Sequence, residues 1–223
     1  VRALSFWTVV LAMAAGTAGC LDLVAAHVPD NLLEGSGGNG WARNDSGSQT
    51  EPVSSQGGFV KTQSLVYDQL DANAGYPGTL TVTTVRTLLR PSEDKLRGLI
   101  QDTVREQAQA KGIDVTSGPL QGTRVVAAGA TAFWFLYNGT VTSGGFFSQS
   151  AQVKLYGEVF QCAAHKTDVV TVGLAQTTDV HSLGGIPIPS DPDYRTWQAI
   201  VEDPGGTIEG YRGSTGLAYN VVC

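Results

Sequence analysis

The stretch Ala130-Thr131-Ala132-Phe133-Trp134-Phe135-Leu136-Tyr137 decides the fold class. From Phe133 onward it carries large apolar side chains with no polar interruption. Successive side chains of a strand point to opposite faces, so this strand is apolar on both. Such a strand belongs within a sheet that is covered on each side. Residues 153–162 read as the next strand and alternate. Val153, Leu155, Gly157 and Val159 share one face, and Lys154, Tyr156, Glu158 and Phe160 the other. Residues 169–176 read as a third strand. The link 163–168 is short enough for a hairpin, which predicts antiparallel pairing.

Working outward from this centre, residues 93–111 show a clear helical period. Leu96, Leu99, Ile100, Thr103, Val104 and Ala108 form one stripe, opposite Arg97, Gln101, Arg105 and Gln109. Ser92 is placed to cap the start, with Glu93 and Asp94 at the positive end of the dipole, and Gly112 supplies the stop. Residues 59–67 and 80–89 read as a pair of strands around the turn signals Gly75 and Pro77-Gly78. Past the hairpin, 194–202 reads as a short helix behind Asp193, and 217–223 as a last strand.

This order predicts an α+β fold, an antiparallel sheet with one main amphipathic helix packed across it. Helix, aromatic strand and hairpin in that order resemble the Mog1/PsbP-like sandwich. They are also similar to a cystatin-like sheet wrapped on one helix. Both likenesses are of element order over residues 59–176, and no motif attaches a function to either.

The N-terminal end has a different character. Arg2 precedes the uncharged run 3–15, and Gly16-Thr17-Ala18-Gly19-Cys20 follows. A positive start, a short apolar stretch and a small-residue exit make a secretory signal sequence. The apolar stretch is shorter than the roughly 20 residues of a membrane span. Thr17-Ala18-Gly19-Cys20 resembles the lipobox of prokaryotic lipoproteins, departing from it at Thr17, where Leu is preferred. The resemblance implies lipid on Cys20, which becomes the first residue of the mature chain. The expected division is a signal sequence over 1–19, an anchor and flexible stalk over 20–58, and one extracytoplasmic α+β domain over 59–223. Residues 35–58 are rich in Gly, Ser, Asn and Gln, which suits a stalk.

Loss of 1–19 leaves 20 acidic residues against 13 basic ones, a net charge of −7. That balance argues against nucleic acid and against electrostatic docking on anionic headgroups. With Cys20 assigned to the anchor, Cys162 and Cys223 remain as an even pair in an oxidising compartment, and are expected to form a disulfide.

Candidate chemistry is sparse. Cys162 and His165 have a C-x-x-H spacing, but zinc requires two more ligands and no second pair exists in the sequence. His181 lies in a Gly- and Pro-rich loop without a G-x-S-x-G elbow. Asp68, Asp71 and Asn73 before Gly75 lack the spacing and the closing Glu of a calcium loop. Sequons at Asn44-Asp45-Ser46 and Asn138-Gly139-Thr140 would accept glycan in a source that glycosylates surface proteins, archaea included. No catalytic residue, metal or cofactor is assigned. The expected protein is a membrane-anchored binding or accessory lipoprotein. Its partners would be the membrane, through lipid, and another envelope protein or a small ligand. The alternatives are a surface enzyme using His181 and loop carboxylates, and a structural envelope component.

Overall fold

In the computed structural model the residues described are 23–33, 40–55, 58–69, 71, 73, 75–87, 92–110, 112–115, 118–143, 149–183 and 186–223. Eight antiparallel strands form one sheet. They are β1 (Trp41–Ser55), β2 (Gly58–Gln69), β3 (Gly78–Thr87), β4 (Ile113–Val115), β5 (Leu120–Val125), β6 (Thr131–Ser143), β7 (Gln149–Cys162) and β8 (Thr167–Gln176). Their order is β1-β2-β3-β8-β7-β6-β4, and β5 pairs with β6 beside β4. β9 (Val180–Leu183) and β10 (Ile186–Pro189) make a separate ribbon. The helices are α1 (Glu93–Ala110) and α2 (Arg195–Val201).

Alternation along the strands divides the core into two clusters. The larger holds Leu65, Tyr67, Leu80, Val82, Leu136, Tyr156, Phe160 and Val169 from one face of the sheet. α2 adds Trp197, Ile200 and Val201, and the C-terminal stretch adds Ile208, Leu217, Ala218 and Val221. The second cluster takes Phe135, Tyr137, Val153, Leu155, Val159 and Leu174 from the other face, together with Ile100, Val104 and Ala108 of α1. β6 thus feeds both clusters, as the run from Phe133 to Tyr137 requires. β7 and β8 form the expected hairpin, with Phe160 opposite Val169 and Cys162 opposite Thr167.

The expected stalk is overturned. Residues 41–55 pair with β2 from Trp41 opposite Gln69 to Ser55 opposite Gly58, and Trp41 is fully buried. Residues 23–33 also belong to the fold, through Ala26, Val28 and Leu33 in the larger cluster. Their backbone is held by side chains and by the C-terminus. Ala26 N donates to Thr84 Oγ1 (2.8 Å), Val28 N to Tyr67 Oη (3.0 Å), and His27 and Val222 exchange two bonds of 3.0 and 2.9 Å. A polar edge strand needs few apolar residues, because its ladder partner satisfies the backbone. The expected last strand over 217–223 is a turn followed by this single bridge to His27.

Candidate functional site

The Cys162–Cys223 disulfide is present, with Cα atoms 5.9 Å apart. It ties the C-terminus to the end of β7, one residue beyond the His27–Val222 bridge. Residues 26–27 and the C-terminus therefore meet at the Cys162 end of the sheet. His165 sits half-buried in the β7–β8 turn. Its C-x-x-H partner is taken by the disulfide, and no group of three or more metal-ligating side chains occurs among the described residues.

A buried ionic cluster, absent from the expectations, stands beneath the C-terminal stretch. Arg124 of β5 donates from Nε to Glu158 Oε1 (2.7 Å) and from Nη2 to Glu158 Oε2 (3.0 Å). Its Nη1 donates to Asp203 Oδ2 (3.2 Å) and to the Val201 carbonyl (3.0 Å), and Nη2 also to Tyr156 Oη (2.9 Å). All five guanidinium protons are thus placed. Burial opposes the Arg124 charge, but Tyr156, Glu158 and Asp203 outweigh it and raise its pKa. Burial likewise pushes the Tyr156 phenol well up, with Glu158 adding to the effect. Asp203 further accepts from Thr207 N and Oγ1. Every guanidinium proton is used inside the fold. The cluster fastens the turn after α2 to β5 and β7.

The concave feature lies on the opposite face. A cleft of about 270 Å³ separates the first turns of α1 from the ends of β6, β7 and β8. Leu96, Phe133 and Val159 give it an apolar floor, and Arg97, Gln161 and Asp168 supply polar groups. The Arg97 guanidinium lies over the Phe133 ring, 4.4 Å from its centroid, an arrangement that stiffens a long side chain. The volume falls just below the range of roughly 300–1,000 Å³ usual for small-molecule sites. Its lining carries a cation, a carboxylate, an amide and the Thr131 hydroxyl. This arrangement can hold a small, partly apolar molecule with polar ends.

The other expected site residues are scattered. Asn44 is at the β1 bulge. Its Nδ2 donates to Asp68 Oδ2 (2.7 Å), and its Oδ1 accepts from Ser46 Oγ and Gly47 N. Nδ2 is the atom to which a glycan would attach. Asn138 is exposed on β6 opposite Lys154. Asp71 closes an Asx turn onto Asn73 rather than a cation loop. His181 has its backbone in β9 opposite Ile188, and its side chain lies outside the described residues. Cys20 also lies outside them.

Comparisons with family models, curated proteins and solved structures found no match to this chain.

Proposed function

We propose that the chain is a lipid-anchored extracytoplasmic protein whose domain acts as a binding or accessory module. The observation that carries this reading is the order of Arg2, the apolar run 3–15 and Ala18-Gly19-Cys20, followed six residues later by the buried Ala26. Lipid on Cys20 would hold the domain against the bilayer without any span of its own. No helix among the described residues is long and apolar enough to cross a membrane.

The α1-side cleft is the binding site in this reading, and its occupant is a small amphiphile with polar ends. The fold is α+β, with α1 laid across the sheet. Burial of Ile100, Val104 and Ala108 beside Phe135 and Tyr137 supports that placement. Replacing Cys20 with Ser tests the anchor. The variant should leave the membrane fraction, whereas retention there at wild-type level would defeat the reading.

A further inference from the structure

Net charge averages over the whole surface, and this surface is polarised. At the Cys162 end of the sheet stand Arg86 near the end of β3, Lys95 and Arg97 in the first turns of α1, and Lys166 in the β7–β8 turn. Against these cations stand Glu93, Asp94 and the buried Asp168. The far end is the reverse. Among the described residues, its cations Arg43, Lys154 and Arg195 are each in an ion pair, with Asp45, Glu209 and Asp193. Asp68, Asp71, Asp114, Asp179 and Asp191 lie there besides.

Residues 26 and 27, near the start of the described segment, lie at the basic end too. Ala26 is bonded to Thr84, two residues from Arg86, and Val222 beside His27 leads into the disulfide. From Cys20 to Ala26 the chain spans at most about 20 Å when fully extended. A tether of that length keeps the Cys162 end near the headgroups, where cations feel the surface potential within a Debye length of about 8 Å. We infer that this end of the domain is a docking surface for anionic phospholipid headgroups, with Arg86, Lys95 and Lys166 forming the contact. The inference rests on the anchor reading above. It replaces the composition-level expectation that an acidic chain avoids anionic lipid: the acidic end faces away and the basic end faces the leaflet.

The test uses the full chain from the membrane fraction of its host, reconstituted into wholly zwitterionic vesicles and into vesicles rich in anionic lipid. An uncharged amine-acylating reagent is applied, and the rate at each lysine is read by peptide mass spectrometry. Lys154, at the far end, is the internal reference. Lys95 and Lys166 should react roughly fivefold more slowly on anionic vesicles, relative to Lys154, an effect of the size expected for one basic residue at such a surface. High salt should remove the difference, and Arg86→Gln should weaken it. Equal rates on both vesicle types, with the protein floating alongside them, would overturn the inference while leaving the anchor intact. Protection by a soluble polyanion but not by anionic vesicles would overturn it in favour of a polymer partner. Failure to float with either set would defeat the anchor reading, and this inference with it.

Discussion

Arg124 and Glu158 meet in a two-pronged ion pair, at 2.7 and 3.0 Å, with side chains 2% and 0% exposed. The pair joins β5 to β7 across 34 residues of sequence. Through Asp203 and the Val201 carbonyl, the same guanidinium holds the turn after α2.

Arg124→Met should therefore strand two carboxylates in a dry interior. The expected loss is about 3–5 kcal/mol, read from denaturant midpoints. Arg124→Met combined with Glu158→Gln should cost less than the sum of the two single changes, because the double variant buries one fewer unpaired charge. Additive losses would mean that the pair is not coupled.

Reduction of Cys162–Cys223 should loosen both chain ends. The bridge closes a loop of 62 residues, for which the chain-entropy model gives about 4 kcal/mol as an upper figure. Hydrogen exchange should accelerate first at His27 and Val222, whose mutual bonds lie next to Cys223. Unchanged protection at those amides after reduction would show that the bridge does not hold the N-terminal segment.

Ile100→Ala should cost about 2–4 kcal/mol, as loss of a buried branched side chain does. Ile100 is 8% exposed, within the cluster shared with Phe135 and Tyr137. A loss under about 0.5 kcal/mol would place that face of α1 away from the sheet.

Gly157 lies directly across from Phe135, and a Cβ there would come within 1.9 Å of the Phe135 ring. Gly157→Ala should cost at least about 1–3 kcal/mol through overpacking, because the ring is itself fully buried. Thermal unfolding of the purified variant measures the effect.

Alkaline destabilisation is also expected. Burial raises the phenol pKa of Tyr156 and of Tyr67, from an ordinary value of 10.0. The unfolded chain then loses these protons first as pH rises, so it binds fewer protons than the folded one. Stability is full below about pH 10 and falls as pH climbs from there toward the folded-state values. Tyr156→Phe should shift the onset of this fall upward, though with loss of one acceptor for Arg124. Unfolding midpoints across the alkaline range measure it.

The strands and helices that bury apolar stripes were legible in the sequence. The run Phe133 to Tyr137, the alternation from Val153 to Phe160 and the period from Leu96 to Ala108 each write burial into residue type. β1 was not legible, because Trp41 is its one large buried apolar group in a polar stretch, and residues 23–33, though apolar at Ala26, Val28 and Leu33, follow no helical or strand period. Their order comes from backbone bonds to partners distant in sequence, Tyr67, Thr84 and Val222. Arg124 was hidden for the same reason: in Gln121-Gly122-Thr123-Arg124 it reads as a surface cation, and only the fold brings Glu158 and Asp203 to it. The cysteine pairing was legible because counting left two partners. The cleft was not, since Leu96, Phe133, Val159 and Asp168 come from four separate elements.

The central claim is that Cys20 carries lipid and that the folded domain follows it directly. Intact-mass measurement of the protein from the host membrane fraction tests this most directly. The account predicts a chain that begins at Cys20, heavier than its sequence by a lipid group, with Cys162 and Cys223 oxidised. A chain that still carries residues 3–15, or an unmodified one released free of the membrane, would contradict it.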